Sequence, residues 1–441
     1  MSNGTNSFSG KIWGAMAKFC GWGYRLFAPL AFRLYLWRHP GKYGARTAEK
    51  FGFVPLRPAD RPTLLVHAVS VGEVLAAKTV IDEFKAAHPD WRVVVSTSTA
   101  TGREVAEKKY GRADVLYYPL DVSAWVERFF TAVRPQMIVL MELEIWPVFL
   151  EYARNYHIPV VVANARITAE SAAKYAKIRR LPFLRLLLDA AFNTPTRWLA
   201  QTEEYAQRLR ETGVAPEKIT VNGNVKFDQI PTALRTEDGQ MMRAELAVSG
   251  QLLVGGSTHP GEEETVLTAW KKLREEFPGL KLVLAPRHPH RVPEVKTLAE
   301  KTGSVTLRSQ MQDTPARADI IIVDTMGELM KFYAAADAVF IGGTLIPHGG
   351  QNMAEPCGLA KPTVIGESYF NFTETVDALR AADAMPIIRT AEELTAVLGD
   401  WLRNPEKTAA LGARARETLQ KLMGASRRTV EIIGETYAAQ S

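Results

Sequence analysis

From residue 62 onward, short and continuously apolar runs alternate with longer stretches whose apolar positions recur at helical spacing. Residues 64–66, 93–96, 115–118, 137–141 and 160–163 read as strands, with "EVLAAKTVIDEFKAAH" and "VSAWVERFFTAV" among the helices between them. A strand that is apolar along its whole length is buried on both faces, as in a parallel sheet covered by helices on both sides. After "ITVNGNVKFDQI" and a polar stretch containing "RTEDGQ" the pattern resets. A second strand series then follows in "QLLVGGS", "LKLVLAPRH", "IIIVD", "AVFIGG" and "PTVIG". The expected fold class is α/β, with two Rossmann-like, doubly wound parallel-sheet domains facing a cleft. Ligands bind in such folds at the carboxyl ends of the strands.

The first 60 residues break this pattern. Residues 1–61 carry ten Lys or Arg and two acids, a balance of +8 in a chain whose net charge is +6. Basicity is therefore an N-terminal property, not a nucleic-acid-binding surface spread over the protein. Lys11, Lys18 and Arg25 recur every seventh residue and form one stripe on a helix, beside an apolar face of Ile12, Met16, Phe19, Leu26 and Phe27. No run approaches the roughly 18 uncharged residues of a spanning helix. Two readings stay open: a helix lying on anionic lipid, to which each cation adds about 1 kcal/mol, or a helix packed on the protein's own body. The expected organisation is a membrane-associating helical segment at 1–60, domains at 61–230 and 231–425, and a C-terminal helix at 426–441 that can cross back to the first domain. Cys20 and Cys357, far apart in unrelated contexts, fit a reducing compartment better than a disulfide framework or a zinc site.

Candidate chemistry gathers where strands hand over to helices. In "HAVSVGE", Ser70 and Glu73 have the spacing of a capping box, and so do Thr325 and Glu328 in "TMGE"; Asn352 and Glu355 in "NMAE" resemble it. Each acid is thus a cap or a reacting group, and spacing alone does not separate the two. Glycines cluster around Glu355 in "IPHGGQNMAEP", where a bulky ligand could approach the backbone. Arg287, His288 and Arg291 in "PRHPHR" place donors just beyond a strand end, where a phosphate could be held or where a basic loop merely meets solvent. No Walker loop and no G-x-G-x-x-G is present.

Taken in order, "HAVSVGE", "MELEIWP", "NARIT" followed by Ser171, "AQTEE", "GNVKFD", "STHPGEE", "PRHPHR", "DTMGEL", "GGTLIPHGGQNMAEP" and "FNF" resemble the 3-deoxy-D-manno-octulosonic acid (Kdo) transferases of lipopolysaccharide synthesis. The resemblance implies a GT-B fold and an inverting transfer of Kdo from CMP-Kdo to a lipid A precursor at the cytoplasmic face of the inner membrane. It implies Glu73 as the catalytic base and Glu142 as a second catalytic acid, favoured over Glu144. Substrate-binding positions follow motif by motif: Ser70, Gly72, Arg166 and Lys226 in the first half, then Ser257, Thr258, Arg287 and His288. Gly327, Glu328, Gly343, Asn352 and Glu355 complete them, with Glu355 on the ribose. The donor is a substrate, and no cofactor or metal is expected, since no D-x-D motif is present and CMP has one phosphate. Beyond CMP-Kdo, the lipid acceptor and an anionic membrane surface, no nucleic acid and no obligate protein partner is expected. One departure stands out: "GESYFNF" puts Glu367 and Ser368 where the family carries Pro and His. A GT-B transferase using a UDP- or ADP-sugar on a lipid acceptor is the alternative reading. A scaffold that lost the chemistry and a nucleotide-sugar epimerase are further rivals.

Overall fold

The computed structural model describes residues 34, 38, 44–230, 236–311 and 317–440. The chain divides into two compact units, Met1–Gln229 with Met423–Ser441, and Ile230–Leu422. Most of the N-terminal segment read as membrane-associating lies outside the described residues, as does Cys20; Cys357 is a buried free thiol. The described part of that segment, a 3-10 helix at Gly44–Phe51, packs on the first unit. There the Glu49 carboxylate accepts from Arg103 at 2.7 Å and from the Tyr117 amide at 2.8 Å. Among the described residues no helix is long and apolar enough to cross a membrane.

The first unit is built on a seven-stranded sheet: β1 (Thr63–His67), β2 (Arg92–Thr97), β3 (Val115–Tyr117), β4 (Met137–Met141), β5 (Val160–Ala165), β6 (Arg197–Ala200) and β7 (Ile219–Val221). Its order is β3-β2-β1-β4-β5-β6-β7, and every pairing is parallel. Strand order reverses between β1 and β4, so the chain leaves these neighbouring strands toward opposite faces and opens a crevice at their carboxyl ends. Two apolar clusters cover the faces. One gathers Leu65, Ile138, Phe129, Phe149 and Trp198, the other Leu64, Val66, Val80, Ile81 and Phe84. The C-terminal helix Ala425–Ala438 belongs to this second layer and is pinned by Asp228, whose carboxylate accepts from the Ser426 amide at 2.6 Å.

The second unit repeats the plan with β8 (Leu252–Thr258), β9 (Lys281–Pro286), β10 (Val305–Leu307), β11 (Ile320–Ile322), β12 (Ala338–Ile341), β13 (Thr363–Gly366) and β14 (Ile387–Ile388). The order is β10-β11-β9-β8-β12-β13-β14, again all parallel, and the reversal falls between β8 and β12. Trp270 fills its core completely and satisfies its indole N–H on the Leu280 carbonyl at 3.1 Å. The short strands β6, β7, β10 and β14 lie outside the strand series expected from the sequence.

Candidate active site

In the first unit the chemistry collects at the β1/β4 reversal. Glu73 occupies the third position of helix Val71–Ala87, and Ser70 is its N-cap. The reciprocal cap forms. Ser70 Oγ accepts from the Glu73 amide at 3.4 Å and donates to Glu73 Oε1 at 2.8 Å, while the Val69 amide donates to Oε2 at 2.9 Å. The carboxylate is therefore held by two donors, yet the residue keeps 9% exposure at the sheet edge. Burial raises its pKa; the two donors pull it down, and the nearby Glu142 charge pushes it up again. Gly72 beside it is exposed, and a Cβ there would meet only Ser70 Oγ at 3.9 Å.

Across the reversal, Glu142 follows β4 directly, with φ at 60° and its amide on the Ala163 carbonyl at 2.9 Å. A non-glycine residue in the left-handed region costs of order 1–3 kcal/mol, and such residues cluster at functional sites. Lys226 comes to Glu142 Oε1 at 3.3 Å, which places this lysine among the first unit's acids. Glu144 accepts from Trp146 Nε1 at 2.8 Å. Burial, with Glu73 and Glu142 adding like charge, lifts its carboxyl to about 7. The charge of Glu142 thus opposes ionisation of Glu73, and both oppose ionisation of Glu144.

Further residues support this edge, and the sequence reading gave them no role. Asn164 sits at a bulge in β5 with φ at 55°; its Oδ1 accepts from the Val225 amide at 3.1 Å, while its buried Nδ2 has no partner among the described residues. His67 is fully buried, stacks on Tyr118 at 3.8 Å between ring centroids, and is pushed by burial down to about 3. The signal for both was available, since His67 opens "HAVSVGE" and Asn164 opens "NARIT". Arg166 is exposed just beyond β5, and the Thr168 hydroxyl donates to Ser171 Oγ at 3.0 Å.

In the second unit the β8/β12 reversal gathers histidines and Arg287 beside acids. Ser257, near the end of β8, has φ at 54°, and the buried Thr258 Oγ1 has no partner among the described residues. Thr258 O accepts from the Arg287 amide at 2.9 Å, which joins the loops after β8 and β9. His259 lies against His348 at 4.2 Å and His288 at 5.7 Å between centroids, and its Nε2 meets Gln351 at 3.1 Å. Burial, with His348, His288, Arg291 and Arg287 around it, drives His259 down to about 4. Arg287 and His288 themselves are exposed.

Glu262, which carried no assignment, organises this edge. Its fully buried carboxylate accepts from the amides of His259, Gly343, Thr344 and Leu345 at 2.7 to 3.0 Å. That hub fixes the left-handed Gly343 turn, with φ at 69°. The pair of acids in "STHPGEE" was the readable signal.

Other positions depart from the sequence reading. Arg291, expected beside Arg287 as a phosphate donor, turns inward to Glu263 at 2.7 Å, where both side chains are almost wholly buried. Glu328 makes no capping box: it is itself the N-cap of helix Leu329–Ala335, accepts from Thr325 Oγ1 at 2.5 Å and pairs with Arg308 at 3.1 Å. Gly327 before it supplies a φ of 85°. Asn352 donates from Nδ2 to Glu355 Oε1 at 3.1 Å, and Met353 is the N-cap, so that box does not form either. Burial raises Glu355, with Asn352 and the Arg287 charge opposing. The departure at 366–368 is locally compensated: Glu367 pairs with Arg389 at 2.6 Å, and Ser368 Oγ accepts from the Gly349 amide at 3.0 Å. Among the described residues no group of three or more His, Cys, Asp or Glu is placed to hold a metal ion.

Residues 45–229 match the family 3-Deoxy-D-manno-octulosonic-acid transferase (kdotransferase). A 3-deoxy-D-manno-octulosonic acid transferase of Haemophilus influenzae is 31% identical over 401 residues, 89% of this chain and 91% of that protein. A solved C-terminal CMP-Kdo binding domain from Acinetobacter baumannii is 32% identical, covering 42% of this chain and 97% of that domain with a TM-score of 0.40. The UDP-GlcNAc 2-epimerase of Neisseria meningitidis shares the fold at 13% identity, with a TM-score of 0.52 over 86% of this chain and 100% of that one.

Proposed function

This chain belongs to the 3-deoxy-D-manno-octulosonic acid transferase family and is a glycosyltransferase of lipopolysaccharide biosynthesis; from that premise we propose that it moves Kdo from CMP-Kdo to a lipid A precursor, with Glu73 as general base. The observation that carries this reading is the setting of Glu73: a carboxylate aimed by two donors, raised by burial, yet not fully enclosed at the sheet edge. A base whose pKa is brought nearer the working pH accepts a proton more effectively.

The ionised Glu73 takes the proton of an acceptor sugar hydroxyl as its oxygen bonds to the anomeric carbon of Kdo. The bond from that carbon to the CMP phosphate oxygen breaks, and CMP leaves as a phosphate monoester. Attack opposite the leaving group inverts the configuration. The growing charge on CMP calls for donors, and the exposed Arg287 and His288 at the second unit's sheet edge are of that kind. Glu355, steadied by Asn352, is assigned to the ribose hydroxyls. Glu142, held by Lys226, is assigned with Glu144 to the acceptor.

The protein is placed at the cytoplasmic face of the inner membrane through its basic, aromatic N-terminal segment. A second surface supports this placement. Ile178 and Leu181 are 37% and 57% exposed between Lys174, Lys177, Arg179, Arg180 and Arg185, with no acid from Ser171 to Leu188. Apolar groups flanked by cations suit an anionic leaflet. Deleting residues 1–38 is expected to cost liposome association more than activity on detergent-dispersed acceptor; equal partitioning of both forms would refute the anchoring role.

Incubation with CMP-Kdo and a tetraacylated lipid A precursor tests donor and acceptor together. The expected product is the precursor plus one or more Kdo masses, with inhibition by CMP and little by UDP. No product under these conditions, or stronger inhibition by UDP, would refute the donor assignment.

A further inference from the structure

The Val69 carbonyl accepts two hydroxyl hydrogen bonds, from Thr97 Oγ1 at 2.9 Å and from Thr99 Oγ1 at 3.0 Å. The amide of the same residue is the group that donates to Glu73 Oε2 at 2.9 Å. Val69 is thus the link between the end of β2 and the Glu73 carboxylate. Thr97 and Gly102 in this link run against a simpler local choice. Thr97 is the last residue of β2 and fully buried, a place where valine would pack without the cost of burying a hydroxyl. Thr99 caps helix Ala100–Tyr110, and its oxygen also accepts from the Gly102 amide at 3.0 Å.

Gly102 is the third part. It stands in the first turn of that helix, where glycine lowers helix stability relative to alanine. A Cβ at 102 would lie 2.7 Å from both threonine hydroxyls and 3.1 Å from the Val69 carbonyl oxygen. The missing side chain therefore leaves room for the two hydroxyls to converge on one carbonyl.

We infer that Thr97 and Thr99 are positioning residues for the transfer reaction: together they clamp Val69 so that its amide fixes the Glu73 carboxylate in the orientation that meets the acceptor hydroxyl. The clamp rests on Glu73 being the base. It touches no substrate, and it acts through one backbone residue.

The test compares Thr97→Val, which removes the hydroxyl at constant shape, with Thr97→Ser, which keeps it, and with Gly102→Ala, which crowds both hydroxyls. Glu73→Gln serves as reference. Each is assayed with CMP-Kdo and the lipid A precursor for kcat, acceptor KM and the acid limb of the pH profile, alongside the melting temperature. Thr97→Val is expected to lower kcat about tenfold, the scale of a small misplacement of a reacting group, with acceptor KM nearly unchanged. Its acid limb moves to higher pH, because the Val69 amide, a donor that favours the ionised form of Glu73, is less well aimed. Thr97→Ser restores both, and Gly102→Ala moves both in the direction of Thr97→Val. An inactive Glu73→Gln beside a Thr97→Val variant with unaltered kcat and acid limb would overturn the clamp and leave the base standing. A lowered melting temperature with no change in the acid limb would overturn it as well. An active Glu73→Gln would overturn the base itself. Should Thr97→Val fail to fold, Gly102→Ala and Thr97→Ser decide the matter by the same readouts.

Discussion

The carboxyl edges of the two sheets share a plan and differ in the side chains they gather. At the β1/β4 reversal stand Glu73, Glu142 and Glu144 with Lys226; at the β8/β12 reversal stand Arg287, His288, His259 and His348 around Glu262 and Glu355. The instructive contrast is between Glu73 and Glu262. Both open a helix after the first central strand of their unit, yet Glu262 is enclosed by four amides, whereas Glu73 takes two donors and keeps 9% exposure. A carboxylate wholly satisfied by backbone builds a loop. One that retains access can react.

The largest expected effect breaks the first edge. Glu73→Gln keeps a group that can accept from Val69 and bond Ser70, so the melting temperature should hardly move, while turnover falls about 10²–10⁴-fold, the span of a lost general base. Steady-state kinetics beside a thermal melt checks both halves. At the second edge, Arg291→Met strands the buried Glu263 charge and should cost about 3–5 kcal/mol in denaturant unfolding of the second unit. Turnover per folded molecule should persist, since Arg291 faces inward. Glu355→Gln is smaller again: a weakened ribose contact should raise the KM for CMP-Kdo about tenfold with kcat near that of the parent, by the scale of one charge-assisted hydrogen bond.

A separate effect is in stability against pH. His67 and His259, held down to about 3 and about 4, lie below the ordinary histidine value near 6.5. Between those values the unfolded chain binds protons that the folded one refuses, so stability should fall as pH drops from about 6.5 toward 4 and 3. His67→Phe should flatten that slope in melts recorded across the range. An unaltered slope would mean that His67 does not contribute to it.

Much of the fold was legible because the central strands carry continuous apolar runs, so β1, β4, β5, β8, β9 and β12 announce themselves. The edge strands β7, β10 and β14 do not: only two or three residues long, they draw their pairing from neighbours rather than from their own pattern. At the sites, spacing located Glu73 and its cap, since a capping box is local chemistry. Spacing also offered boxes at Glu328 and Glu355, and it put Arg291 with the exposed donors. Partners distant in sequence decide some of these cases: Arg308 takes Glu328 from 20 residues away, and Glu263 takes Arg291 from 28. Glu262 escaped notice for the same reason, because three of the four amides it gathers lie more than 80 residues further on.

The proposal that a carboxyl raised by burial and by a neighbouring acid performs the deprotonation meets its sharpest check in the pH dependence of the single-turnover rate. With CMP-Kdo and lipid A precursor, the rate should climb through a midpoint above the ordinary glutamate value of about 4.3. Glu142→Gln removes a like charge, so that midpoint should move to lower pH. A rate that is flat across this range, or a midpoint that Glu142→Gln leaves in place, would contradict it.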